Sequence, residues 1–231
     1  MFRYETHLHT APVSKCAKAT VEQTLRFYHR LGYDGVFITN HFLDGNLNID
    51  RSLPYEERLA FYCSDYEAAL ALAPEVGIKV FFGVELSNGG TDFLIYGLPP
   101  AWYFAHPGIM EMKKSEELAF MRSEGALVIQ AHPFREAAYI DHIRLYPRQI
   151  DGVEIINAGR KDDENRLAAI YARAYGLLET AGSDNHSAGA APRLCGVETE
   201  EPICSPEDYI RLLRAGKTQI FDQRRDPDPV L

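Results

Sequence analysis

Cysteine is scarce in this chain of 231 residues: there are four, Cys16, Cys63, Cys195 and Cys204, and no two form a C-x-x-C pair. That spacing excludes a disulfide framework and fits a reduced compartment. Basic residues are also in deficit, with 24 Lys and Arg against 33 Asp and Glu, a formal charge of −9. A binder of nucleic-acid backbone needs a basic stripe, so nucleic acid is not an expected partner. An anionic substrate is still allowed, because bound divalent cations can dominate the local field. No run reaches the roughly 18 apolar residues needed to cross a bilayer. The start, Met1-Phe2-Arg3-Tyr4-Glu5, lacks the apolar core of a signal peptide. These absences predict a cytoplasmic protein without membrane contact. Missing too are a G-x-S-x-G elbow, a P-loop and a G-x-G-x-x-G. A nucleophilic-serine enzyme, a nucleoside-triphosphate binder and a dehydrogenase are left without support.

What the chain does have is histidine at the ends of apolar runs. In Tyr4-Glu5-Thr6-His7-Leu8-His9-Thr10 the period of a strand puts His7 and His9 on one face. Thr20 and Gln23 form a capping box for a helix that ends near Gly32. Residues 35–41 read as a short buried strand closed by His41, and residues 43–52 as a polar loop. A long helix follows over 54–76. Residues 79–85 form a strand that ends in Glu85, and 92–97 another that opens on Asp92. The piece from 99 to 112, with the single Trp102, shows no clear period. A helix over 115–124 precedes a strand over 126–132 that ends in His132. Then come a strand over 152–157 that ends in Asn157, a helix over 162–175 stopped by Gly176, and a strand closing on Asp184 and His186. A helix over 205–215, a strand near 218–221 and a frayed tail of about eight residues complete the chain.

Alternating strands and helices imply parallel βαβ units, and at this length one domain spanning 1–231 is expected, since domains run to roughly 100–200 residues. Functional groups at the ends of many different strands converge on one pocket only in a closed barrel. Five of the eight histidines, His7, His9, His41, His132 and His186, fall at strand ends, and Glu85 and Asp184 join them. Mixed imidazole and carboxylate ligation suits Zn, Mn or Fe better than Ca or Mg. Two such ions a few ångströms apart serve hydrolysis, because they generate hydroxide near neutral pH and clamp the attacked and leaving oxygens.

His7-Leu8-His9, Thr39-Asn40-His41, Gly83-Val84-Glu85, Ala131-His132-Pro133 and Gly182-Ser183-Asp184-Asn185-His186 occur in the order found in the PHP family. That is the polymerase-and-histidinol-phosphatase domain of metal-dependent phosphoesterases, and the resemblance covers nearly the whole chain. It implies a distorted seven-stranded (β/α) TIM-like barrel of the α/β class. It implies one metal held by His7, His9, Glu85 and Asp184, a second bridged by Glu85 and held by His132, and a third near His41 and His186. Two to three divalent ions (Zn, Mn or Fe) are therefore expected. The chain departs from the family pattern at two places. Lys15 stands where full trinuclear members place a ligand after the H-x-H, and Asp92 stands where they place a histidine. Asp92 can still ligate, since carboxylate replaces imidazole readily. Lys15 cannot ligate while protonated, so the third site is expected to be weak, with the ammonium free to meet a substrate phosphate.

The expected activity is hydrolysis of a small organic phosphate ester, with Asp184 or His186 moving the proton. Lys15, Arg135 and Arg193 are the candidate phosphate contacts. Two alternatives stand beside it. An amidohydrolase would break a C–N bond with a similar cluster, although Glu85 fills the bridging role often given there to a modified Lys. A non-catalytic, metal-binding PHP module is the other. His106 echoes His132 in preceding a proline, but no buried strand leads into it, and His29 and His142 are assigned to helices.

Overall fold

The computed structural model describes residues 1–224, so the tail expected to fray lies, from 225 on, outside the described residues. Nine strands form one sheet in the order β7-β6-β5-β4-β3-β2-β1-β8-β9. They are β1 (Phe2–Leu8), β2 (Gly35–Ile38), β3 (Lys79–Asn88), β4 (Thr91–Tyr96), β5 (Leu127–Ala131), β6 (Gly152–Asn157), β7 (Leu178–Gly182), β8 (Arg193–Thr199) and β9 (Thr218–Arg224). The helices are α1 (Val21–Arg30), α2 (Tyr55–Val76), α3 (Pro100–Ala105), α4 (Lys114–Ser123), α5 (Asp162–Tyr175) and α6 (Pro206–Arg214). The Thr20–Gln23 capping box is formed in both directions, and Gly176 caps α5 in the left-handed conformation.

The first seven strands make the expected barrel, nearly closed. Its seam lies between β1 and β7. The Thr6 hydroxyl donates to the Ala181 carbonyl at 2.6 Å, Asp184 N donates to His7 O at 2.7 Å, and His9 N donates to Asn185 O at 3.0 Å. The remaining edge of β1 is shared out, because Phe2, Arg3 and Tyr4 pair antiparallel with β8 instead. The sheet thus departs from the all-parallel expectation. β3 and β4 form a hairpin, and β4 pairs antiparallel with β5 as well. The cause is the tight turn at Asn88-Gly89-Gly90, where both glycines have positive φ and so no helix is needed to reverse the chain. β3 therefore runs three residues past Glu85, which sits within the strand and not at its end.

A cluster of apolar side chains fills the end of the barrel away from the histidines. Tyr209 of α6 packs against Phe37 of β2 and Tyr96 of β4, and its hydroxyl meets that of Thr180 in β7 at 2.9 Å. Tyr96 donates to the Thr6 carbonyl at 2.7 Å. α6 thus plugs the barrel floor and ties three of its walls together. α2 crosses the outer face, and the Tyr62 hydroxyl bonds the carbonyls of Asn40 and Gly83, just beneath two of the motifs. Among the described residues no helix is long and apolar enough to cross a membrane.

Candidate metal centre

β1 delivers its two histidines with their tautomers already chosen. His7 Nδ1 lies 2.9 Å from Glu154 Oε1, so the carboxylate takes the ring proton and leaves Nε2 facing inward. For His9 the partner is Ser14 Oγ at 3.1 Å. The Ser14 proton goes to Asn40 Oδ1, and the Asn40 amide NH2 is fixed by donation to Asp65 of α2. Ser14 is thus an acceptor toward His9, whose Nε2 is left as a free donor atom. His186 Nδ1 lies 2.8 Å from the Asp184 carbonyl, which again frees Nε2.

The donor atoms converge closely. His7 Nε2 and His9 Nε2 are 3.3 Å apart. Glu85 Oε1 lies 3.2 Å from His7 Nε2 and 3.4 Å from His132 Nε2, while Oε2 lies 3.3 Å from His9 Nε2 and 2.6 Å from His41 Nδ1. Asp184 Oδ1 is 3.3 Å from His9 Nε2, and Oδ2 is 3.8 Å from His132 Nε2. Asp92 Oδ2 stands 3.9 Å from His132 Nε2. Three overlapping triads can each hold a cation: His7, Glu85 and His132; His7, His9 and Asp184; and His9, His41 and His186. Within the cluster His132 Nδ1 is buried without a hydrogen-bond partner among the described residues, and Glu85 Oε2 meets imidazole nitrogens alone. Nitrogen-rich donors with bridging carboxylates suit Zn, Mn or Fe. The residues fit a divalent metal.

The electrostatics couple the acids to the rings: against burial, Glu154 and Asp184 push His7 up and Glu85 pushes His41 and His132 up, toward the charged form that a bound cation would displace. Burial opposes ionisation of Glu85 and Asp184, yet His41, His9 and His7 around Glu85, and His7 and His9 around Asp184, hold both carboxyls well below their usual range. Burial and the neighbouring His186 and His41 keep His9 neutral, the form that ligates. Burial raises Asp92, with Glu85 adding to it. The backbone is strained here as well. Among the described residues only His132 (φ 28°), Asp184 (φ 51°) and Ala188 (φ 44°) are non-glycine residues with positive φ, and two of them are candidate ligands.

A cavity of about 650 Å³ opens over the cluster. Arg51, Arg135 and Arg160 stand in its wall with Asp44, Ser87 and Tyr139. Arg135 reaches Asp92 at 3.4 Å, and Arg160 Nε is buried without a partner among the described residues. A larger cavity of about 790 Å³ beside His29, Asp34 and Cys204 holds none of the triads.

The structure thus brings together His7, His9, His41, Glu85, Asp92, His132, Asp184, His186 and Arg135. It does not bring in the other two candidates. Arg193 opens β8, and its guanidinium is held by Asp222 at 2.8 Å and Asp162 at 2.9 Å. Lys15 is exposed, and the cavity is lined by its neighbour Cys16. His106 stacks on Trp102 with ring centroids 4.3 Å apart, and His142 lies in a loop rather than a helix. Sequence reading missed Glu154, Ser14, Cys16, Arg51 and Arg160. Only Glu154 carried a signal, as an acid inside the otherwise uncharged strand Gly152–Asn157.

Comparison with known proteins finds relatives of the same fold. The family model described as PHP-associated matches residues 162–218. No curated protein matches. Among solved structures, one relative is a two-domain protein from Bacteroides vulgatus containing a predicted PHP-like metal-dependent phosphoesterase, with a TM-score of 0.70 at 14% identity. The match covers 95% of this chain and 64% of that one, so the chain spans somewhat under two thirds of its relative. PsfC from Pseudomonas syringae aligns with a TM-score of 0.59 at 16% identity over 97% of this chain and 92% of that one. An amidohydrolase from Chromobacterium violaceum, with sulfate bound and no metal, aligns with a TM-score of 0.54 at 17% identity, over 94% and 97% of the two chains.

Proposed function

The chain is PHP-like in fold, and we propose that it is a metal-dependent phosphoesterase that hydrolyses a small organic phosphate ester in the cytoplasm. One observation carries the reading. Three arginines, Arg51, Arg135 and Arg160, line the same cavity as His41, Glu85, His132, Asp184 and His186, five of the seven residues whose triads fit divalent metals. Guanidinium groups bind phosphate oxygens through paired donors, whereas a neutral amide has no use for three of them. Divalent ions bound at the triads would lower the pKa of water and offset charge on the phosphate oxygens.

The protein's own groups supply the rest. Arg160, with a buried and unpartnered Nε, and Arg135, whose Asp92 contact is long at 3.4 Å, hold the substrate's phosphate against the donor cluster. While the His9, His41 and His186 triad is empty, His186 is the group placed to carry a proton. It is partly exposed, and its Nδ1 is anchored on the Asp184 carbonyl, so Nε2 is left to exchange with the cavity. Asp184 is better used as a ligand, because its carboxyl is held ionised by His7 and His9. C–N hydrolysis is the second reading, favoured by the amidohydrolase neighbour. The bound sulfate in that neighbour is, however, a tetrahedral oxyanion of the shape proposed for the substrate here.

Release of phosphate from a panel of phosphate monoesters, and of the leaving alcohol from a panel of diesters, tests the reading, with metals counted per chain on the same sample and His9→Ala as control. Phosphate release that collapses in His9→Ala supports it. Metal without phosphate release, joined by turnover of an amide panel, replaces it with the second reading. Absence of bound metal after Zn, Mn and Fe are supplied overturns both.

A further inference from the structure

The cavity over the donor cluster has a polar and charged wall almost throughout. Apart from imidazoles, Tyr139 is the one aromatic or large apolar side chain that the described residues place in it, and it is 65% exposed. Neither metal nor phosphate calls for such a ring, whereas the organic part of a ligand does. The ring is also fixed in place. It sits on the loop between β5 and β6, and that loop is tied to the turn between β3 and β4. Arg144 Nη1 donates to Gly89 O at 2.9 Å, and Asn88 Nδ2 donates to the Tyr146 hydroxyl at 2.8 Å. Gln130 of β5 adds a third tie, donating to Arg144 O at 2.8 Å. Ile140 packs so closely on Gly90 that a Cβ there would lie 2.5 Å from its Cγ1, and 3.5 Å from Cε2 of Tyr139. Gly89 and Gly90 both line the cavity, so beside the ring the wall is backbone alone. The Arg135 guanidinium lies 5.5 Å from the ring centroid. The cation assigned to phosphate and an open aromatic ring thus stand side by side.

We propose that Tyr139 sets substrate choice: its ring stacks on a flat aromatic group of the alcohol that leaves, while Arg135 holds the phosphate. The inference rests on the phosphoesterase reading and narrows it. The favoured esters carry an aromatic ring close to the phosphate, because guanidinium and ring centroid are 5.5 Å apart. Two nearby aromatic side chains do not compete for the role. Trp102 stacks on His106 outside the cavity wall, and Tyr146 is held by Asn88 and packs edge-on against Phe93.

Benzyl phosphate and cyclohexylmethyl phosphate separate stacking from plain burial. The two alcohols differ little as leaving groups, and the saturated ring is the bulkier, so apolar burial alone gives benzyl phosphate no advantage. The experiment measures kcat/KM for both esters with metal supplied, and competitive inhibition by inorganic phosphate, for the full chain, Tyr139→Phe and Tyr139→Leu. The wild type should favour benzyl phosphate by about three- to tenfold, the span that contact between two aromatic rings is worth. Tyr139→Phe should keep the preference and Tyr139→Leu should abolish it, with inorganic phosphate bound as in the wild type. No preference in the wild type, or one that survives in Tyr139→Leu, overturns the role of Tyr139. A preference lost together with phosphate binding overturns it as well, because the ring then only props Arg135. Turnover of other esters but not of benzyl phosphate overturns it too and leaves the phosphoesterase reading standing. No turnover of any ester overturns that reading, and the role of Tyr139 with it.

Discussion

Glu154 contributes through the groups that touch it. It takes the ring proton of His7 at 2.9 Å, the His132 amide at 3.1 Å and the Asn157 amide at 2.8 Å, so one carboxylate orients ligands from two strands. Glu154→Gln keeps the shape but offers an amide where an acceptor was needed, and His7 loses the partner that fixes its tautomer. The expected result is a metal affinity lower by about 10–100-fold, the usual cost of an outer-shell change. Competition with a chromogenic chelator measures it, and an unchanged affinity would show that the His7 tautomer is set by something else. The residues that the structure gathers into the donor cluster were legible from sequence because each follows an apolar run or sits two residues from another histidine. Glu154 was harder to see, since an acid in a buried strand reads as a strand-facing exception until its partner histidine is known. Cys16, Arg51 and Arg160 lie in loops, where nothing periodic says which way a side chain points. Lys15 and Cys16 show the cost: a one-residue difference decides whether a cation or a sulfur enters the cavity.

At the scale of elements, the seam between β1 and β7 is the part that couples fold to site. A Cβ added to Gly182, the last residue of β7, would meet His7 Cβ at 2.5 Å and Glu154 Oε1 at 2.7 Å. Neither can give way, because His7 is held by Glu154 and Glu154 by two further donors. Gly182→Ala is expected to destabilise the fold by about 1–3 kcal/mol, as overpacking does, and to weaken metal binding in the same variant. Gly108→Ala, which meets nothing within 4 Å, is the matched control. Urea unfolding of both, with metal titration alongside, checks this. Full stability and full metal affinity in Gly182→Ala would mean that the seam is loose. The element pattern was largely readable: α1, α2, α4, α5 and α6 lie where apolar spacing and capping put them. Strand direction was not. The Asn88-Gly89-Gly90 turn was the available hairpin signal, and reading every connection as a crossover hid it. β8 escaped because Arg193 and Glu198 punctuate a run whose neighbours in space, β1 and β9, lie far away in sequence.

For the whole molecule, buried carboxylates gathered at one end of the barrel make the metal-free form expensive and the loaded form strongly preferred. A ligand that binds only the folded state at 100 times its dissociation constant adds about 2.7 kcal/mol of stability. In a chain of this size that corresponds to a rise of about 5–10 °C in Tm. Thermal melts with Zn or Mn against chelator-treated protein should show a shift of this order, reversed by EDTA and absent with Mg. A melt indifferent to every cation would mean that the carboxylates are balanced by imidazolium alone. The plug of α6 anchors the opposite end of the barrel, where Tyr209 packs against Tyr96 and Phe37 away from the site.

The seam has a consequence in time. His7 and His9 are made well before residues 181–185 and 197–199, whose backbone closes the seam around β1. At about 5–20 residues per second, roughly 10–35 s separate the synthesis of His9 from that of Asp184. For that interval the earliest ligands have no final partners and β1 has no closing neighbour. A cation can meet the full set of candidate ligands only once the stretch that carries Asp184 has been made and has closed on β1.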